Sequence, residues 1–342
     1  MKTGTDIIIY WVDGGDPEWT AKRDKFASTD PDHRNPSRFR DWELLKYLFR
    51  GIDKFAPWAG NVFFVSDGQI PEWLDTAAPR LKIIDHKDYI PEEYLPVFSA
   101  NPIELNFHRI EGLSEQFVVF NDDMFLTAET QEDMFFRDGM PVDILMEYPI
   151  MCSGRDPVFS HILCNDFNTL GKHFKRSEYK KRLRSKILSP KYGKYFFYNL
   201  MSRITPFPNL YGFLTPHFPR PYLRSSYEEV WAAEGNLLDK TCRNRFRSGE
   251  DVNMYLIRLW NMLKGNFVPG NIFRHGRAFF ISEEKDVADM ESALAKKDYR
   301  MICINDECSD QVFEKVKDRV IAVMEGILPD MSSFEKKEDK DA

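Results

Sequence analysis

The first residues in this chain that could do chemistry are two adjacent carboxylates. Phe117 to Phe120 are apolar, Asn121-Asp122-Asp123 follow, and apolar residues resume at Met124. The apolar run predicts a buried strand. Two ionised carboxylates at its end are costly in an apolar setting unless a counter-charge meets them. A hard divalent cation, Mg²⁺ or Mn²⁺, takes oxygen ligands from one or two carboxylates and from substrate phosphates. In α/β proteins ligands gather at the carboxyl ends of strands. Asp122 and Asp123 are therefore the expected metal ligands. Taken alone, a turn whose Asn and Asp side chains bond their own backbone remains the alternative.

The elements that must position this pair follow from the pattern along the chain. Asp6–Val12 reads as a strand and runs into a turn, Asp13-Gly-Gly-Asp-Pro, with Asp16 suited to cap a helix over Glu18–Phe26. Helical spacing over Asp41–Phe55 is followed by strands at Asn61–Ser66 and Leu81–Ile84, the first ending in Asp67-Gly68-Gln69. Pro102–Ile110 reads as helix and Phe117–Phe120 as the fourth strand. Beyond an extended Pro-rich loop around Thr215–Pro221, a capping box at Ser226 and Glu229 opens a helix. Asp251–Leu263 is an amphipathic helix. Strands are expected at Ala278–Ser282 and Arg300–Ile304 and a closing helix at Asp310–Ile327, with a disordered charged tail from Phe334, inside a unit 329–342. Strands alternating with helices predict an α/β fold around a mostly parallel sheet.

Composition bounds the rest. The 342 residues carry a net charge of −7, which argues against general nucleic-acid binding. No window approaches the ~20 apolar residues of a membrane span. The start of the chain enters a strand directly and lacks the apolar region of a signal peptide. Five scattered cysteines fit reduced thiols in a cytoplasmic protein. Residues 172 to 203 stand apart, with eleven Lys or Arg, seven aromatics and a single acid, Glu178. Two readings stand for this segment. It is a solvated helical hairpin, or it is a basic-aromatic insertion (172–211) that lies peripherally on the inner face of the membrane or against a polyanionic acceptor. It separates a first unit, 1–171, from a second part of the catalytic domain, 212–328.

Four blocks, in order, carry a resemblance to one family. They are Asp6–Pro17; a long block from Arg38-Phe39-Arg40-Asp41 through Asp67-Gly68-Gln69, Glu104, His108-Arg109 and Asn121-Asp122-Asp123; His217 with Arg224, Arg245-Phe246-Arg247 and Asp251; and Ile302 to Asp306. Together they resemble the Stealth family of capsular polysaccharide phosphotransferases, which are similar to the catalytic part of N-acetylglucosamine-1-phosphotransferase. The resemblance implies a nucleotide-sugar-binding sheet, glycosyltransferase-A-like or Rossmann-like. It implies transfer of a hexose-1-phosphate or N-acetylhexosamine-1-phosphate from a UDP-sugar to an acceptor glycan hydroxyl, with release of UMP. His217 is then the expected general base, with His108 the second candidate, and Asp13 and Arg247 complete the catalytic set. Arg38, Asp41, Asp67, Gly68, Gln69, Glu104, Arg109, Arg224, Arg245 and Asn305 are expected to bind substrate, the arginines because their fork matches phosphate oxygens. Asp306 joins Asp122 and Asp123 as a metal ligand. Asn101 stands where the family usually carries a histidine, so no proton transfer is assigned to it. Two other functions share these features: a metal-dependent glycosyltransferase that releases UDP, and a nucleotide-sugar-binding protein without catalysis.

Overall fold

The computed structural model describes residues 4–30, 39–151, 156–296 and 299–337. Its main sheet has the order β3-β2-β1-β4-β8. Strands β1 (Asp6–Tyr10), β2 (Val62–Ser66), β3 (Leu81–Asp85) and β4 (Gln116–Asn121) run parallel, and β8 (Arg220–Leu223) closes one edge antiparallel. The central strands are apolar on both faces, as expected for a sheet covered on both sides. Ile8 lies between Phe63 and Val119 in register. Alternation along β1 then splits the core. Ile7 and Ile9 pack with Leu48, Phe49 and Ile52 of α2 (Leu45–Phe55), whereas Ile8 packs on the opposite side with Leu256 and Ile257 of α9 (Met254–Lys264). Each such fully buried side chain stabilises by about 1.5–3 kcal/mol.

A second sheet, β10-β11-β5, abuts the first. It contains β10 (Gly276–Ile281) parallel to β11 (Met301–Asp306), and β5 (Met124–Leu126) antiparallel to β11. Only Asp122 and Asp123 separate β4 from β5, so this pair is the corner at which the chain passes from one sheet to the other. Helices α10 (Glu284–Lys296) and α11 (Asp310–Ile327) lie against the second sheet. A small third sheet joins β6 (Phe136–Arg137), β7 (Met140–Asp143) and β9 (Val268–Pro269). On the α9 side sit α3 (Ala100–Leu105), α4 (Pro157–His173) and α8 (Arg224–Cys242). Helix α1 (Pro17–Phe26) starts at Asp16, whose carboxylate accepts the Glu18 and Trp19 N–H groups as expected of a cap.

Several expectations need correcting. Helix α4 ends at His173, next to position 172, and packs on α9. The basic segment folds as α5 (Arg176–Arg182), α6 (Arg184–Ile187) and α7 (Tyr195–Ser202); eight of its eleven cations are exposed, and several reach groups elsewhere in the protein. Arg176 and Lys180 pair with the buried Glu147 at 2.7 and 2.8 Å. Arg182 and Lys186 donate to the last carbonyls of α9 and the turn after it, where cations suit the negative end of a helix. Ser226 and Glu229 do not form a capping box, since α8 already begins at Arg224. The Ser226 hydroxyl donates to Asn261, and Glu229 accepts from Trp260 and Lys264. At the start of the tail Phe334 is fully buried against Phe49 and Glu335 binds Arg50, while 338–342 lie outside the described residues. A ring with an apolar slot and a carboxylate with a buried guanidinium outweigh the charged composition around them.

Candidate active site

The sheet topology brings the ends of β1, β4 and β11 to one place. At the corner, Asp123 Oδ2 lies 2.9 Å from His217 Nε2 and accepts from the Cys303 thiol at 3.1 Å. The Asp123 carbonyl accepts the Ile304 N–H, which fixes the turn on β11. Burial disfavours the charge on Asp123, but the His217 ring and its hydrogen bond, with Cys303 and Arg220, outweigh it and hold this carboxyl below its usual range. Asp122 behaves oppositely. Desolvation in the corner first, then Asp123 and Asp41, push its carboxyl up to about 7, although the residue itself is exposed at the smaller of two hollows. Adjacent carboxylates are thus driven apart by one having cationic neighbours and the other acidic ones.

Two neighbouring hollows share wall residues here. The larger has a volume of about 990 Å³, and His217, Arg247, Asn305 and Glu104 are on its wall. That is the size range of small-ligand pockets. The smaller, about 250 Å³, contains Asp122, Asp123, Asp41 and Asp306. Asn121 and Asn305 border both. Asp123 Oδ1 is buried with no hydrogen-bond partner. The orphaned Asp123 oxygen and the Asp122 carboxyl on the same wall are oxygen donors of the kind a hard divalent cation takes. Ligand atoms of Asp123, His217 and Cys303 also lie within 4.8 Å of one another, a donor set that softer ions take.

The remaining expected residues separate into those that shape the site and those that lie away from it. Gln69 exchanges hydrogen bonds with the Asp13 backbone and donates to Asp16. It braces the Asp13 turn from the next strand and reaches into neither hollow. Gly68 has φ +77°, which suits a glycine in that turn. Gly14 is required by packing, since a Cβ there would fall 2.1 Å from the Phe39 carbonyl oxygen. Asp13 itself bonds the Gly15 N–H and acts on Asp41 through charge. Asp41 stays on the wall of the smaller hollow with its carboxyl raised, chiefly by burial. Arg247 pairs with Asp156 at 2.9 Å on the wall of the larger one.

Six expectations are corrected. Asp67 does not face the hollows, because Lys22 holds both of its oxygens at 2.7 Å. Asp306 is not a free ligand, since Arg40 and the Cys308 N–H take its oxygens. His108 is buried between Tyr227 and Trp231, and burial, with Arg109 and Arg224, pushes it down to about 3. Arg109 lies over Trp231. Arg224 follows Leu223, which pairs with Gln116 at the start of β4, so it is at the opposite end of the strands from Asp122. Arg245 lies over Phe26, its carbonyl accepting from Phe98. Arg38 lies outside the described residues.

Arg220 is not singled out by the sequence, where Asn101 and Asp251 are named without a role. Arg220 is buried and donates to Asn121 and Tyr255. It also lowers the cost of ionising Glu104, whose carboxyl burial otherwise raises and whose Oε1 accepts from the Tyr10 hydroxyl. Its signal was its place in the Pro-rich loop with His217. Asn101 donates to Asp251, and Asp251 also accepts from Asn244 and the Ser248 N–H, which fixes the loop carrying Arg247.

Residues 38–143 match the Stealth protein conserved region 2. The chain is 36% identical to the capsular polysaccharide phosphotransferase WcwK of Streptococcus pneumoniae over 338 residues, covering 98% of this chain and 100% of that one. It is 39% identical to the receptor polysaccharide phosphotransferase WefC of Streptococcus oralis, covering 96% and 98%. It is 35% identical to the exopolysaccharide phosphotransferase cps2G of Lactiplantibacillus plantarum, covering 97% and 96%. With likeness of this degree along nearly the whole of each chain, the protein belongs to the Stealth family of capsular polysaccharide phosphotransferases.

Proposed function

We propose that the protein transfers a hexose-1-phosphate or N-acetylhexosamine-1-phosphate from a UDP-sugar to a hydroxyl of a polysaccharide acceptor, releasing UMP, in capsular or exopolysaccharide synthesis. The observation that carries the reading is the coupling of Asp123 to His217 at 2.9 Å beside Asp122, on the walls of hollows large enough for a nucleotide sugar. The acceptor oxygen attacks the phosphorus that bears the sugar. The pyrophosphate P–O bond to the uridine-side phosphate breaks, and UMP leaves. His217 takes the acceptor proton, and Asp123 orients the ring and stabilises it once charged. Arg247 offers positive charge to the transferring group, which matters because phosphoryl transfer depends mainly on positioning and charge stabilisation. Mg²⁺ or Mn²⁺ held by Asp122 and Asp123 would neutralise pyrophosphate charge. Asp41, Glu104 and Asn305 then border the donor and acceptor, and Asp13 shapes the turn behind them.

The test is to incubate the protein with a panel of UDP-sugars, Mg²⁺ or Mn²⁺ and capsule oligosaccharides. Nucleotide released is identified by mass spectrometry and the new linkage by ³¹P NMR. UMP with a phosphodiester is expected. UDP with a glycosidic bond would replace this reading with that of an ordinary glycosyltransferase, and donor binding without turnover would make the protein a nucleotide-sugar binder.

A further inference from the structure

Helix α7 begins beside the larger hollow and then presents apolar side chains to solvent. Lys194 and Tyr195 are on the wall of that hollow, and Tyr195 packs on Phe273 at 5.2 Å. From there Phe197, Tyr198, Met201, Ile204 and Phe207 are 65, 57, 60, 75 and 56% exposed. Single exposed apolar residues are ordinary, but a cluster within one short stretch marks a contact surface. Next to it is a recess of about 370 Å³ formed by Lys180, Lys181, Arg184 and Arg203 with Ile187 and Leu188, with no acid on its wall. Lys180 is already bound by Glu147 and by the Ser202 carbonyl. No salt bridge holds Lys181, Arg184 or Arg203 among the described residues. On a chain of net charge −7 this is a local reversal of sign.

We propose that this face docks on a bilayer containing anionic phospholipid, with the α7 side chains entering the interface and the basic recess taking a headgroup phosphate. Charge complementarity selects that occupant: apolar residues rimmed by unpaired cations are the pattern of an interfacial helix, and each cation adds to attraction toward an anionic surface. Lys194 and Tyr195 tie the docked face to the hollow, so docking would set the site's mouth at the membrane surface. The docking needs no assumption about the reaction, and its test is read without substrate.

The experiment is co-sedimentation of the full chain with vesicles of phosphatidylcholine alone or with added phosphatidylglycerol. Pelleting is expected only with the anionic vesicles at low salt, with release at high salt. A variant carrying Phe197→Ser, Met201→Ser and Ile204→Ser, and another carrying Lys181→Glu, Arg184→Glu and Arg203→Glu, should each weaken binding by at least about 100-fold. Both should keep the wild-type circular dichroism spectrum and transfer to a short soluble acceptor. Three results would overturn the proposal: no pelleting of the wild type at low salt, full binding by the apolar variant, or a wild-type dimer that the apolar variant converts to monomer. If the apolar variant does not fold, the charge-reversal variant decides alone.

Discussion

At the scale of residues, Asp123 does two things with two oxygens. Oδ2 holds His217 and Oδ1 is left without a partner. Removing the base and removing the carboxylate should therefore differ. His217→Ala is expected to lower turnover by about 10²–10⁴ with donor affinity nearly kept. Asp123→Asn should lower turnover and also raise the Mg²⁺ concentration needed for half activity, whereas Asp122→Asn should show mainly the metal effect. Steady-state kinetics across a Mg²⁺ titration separates these outcomes, and a near-normal rate for His217→Ala would take the ring out of the proton path. The acidic pair was legible because paired carboxylates cannot follow an apolar strand without compensation. His217 was found only through the family pattern. Arg220 and Cys303 were not found, because an arginine among prolines and a cysteine in an apolar strand look like structure. His108 misled for the opposite reason: beside Arg109 it suggested a polar face, but aromatic packing buries it.

At the scale of elements, the parallel strands were readable from apolar runs ending in polar turns, and α11 runs from Asp310 to Ile327 as the periodicity indicates. Short pieces were not. β5 and β8 have three and four residues, too few to show a period, and their pairing depends on distant partners. The basic segment shows the limit of reading charge as surface. Glu147, outside the segment in sequence, collects Arg176, Lys180 and the Tyr179 hydroxyl and so anchors α5 to the body. Burial raises the Glu147 carboxyl, but the hydrogen bonds of Arg176, Lys180 and Tyr179 outweigh this and leave it below its ordinary value of 4.5. A carboxyl lowered on folding gives stability that is present above its unfolded-state value and lost as pH falls through the folded-state value. Acid below about pH 4.5 should therefore release α5–α7. At pH 7, Glu147→Gln should reproduce the release, because breaking one side of a buried pair costs about 3–5 kcal/mol. Hydrogen exchange of α5–α7 is the measurement. Protection unchanged from wild type at pH 7 would mean that apolar packing, and not Glu147, holds these helices.

At the scale of the whole molecule, the two sheets are held around the acidic corner by α2, and α2 is held by the end of the chain. Gly51 of α2 lies so close to β5 that a Cβ would fall 2.6 Å from the Leu126 carbonyl oxygen. Two residues earlier in that helix, Phe49 packs edge-on against Phe334 with ring centres 5.4 Å apart. Arg50 donates to both Glu335 oxygens at 2.9 and 3.0 Å and to the Leu328 carbonyl at 2.8 Å. The segment after α11 is therefore a clasp over the helix that backs the site, and composition alone could not reveal it, because its partners are almost 300 residues earlier. Phe334→Ala should cost about 3–5 kcal/mol through the cavity it leaves. Glu335→Gln should also destabilise, by leaving a buried guanidinium less than fully paired. The double variant should cost less than the sum, since both act through the same turn of α2. Denaturant melts give the three values. Activity per folded molecule should fall in the same order, because loosening α2 slackens β5 and with it the Asp122–Asp123 corner. Additive costs with unchanged specific activity would show that the clasp secures the chain end without bearing on the site.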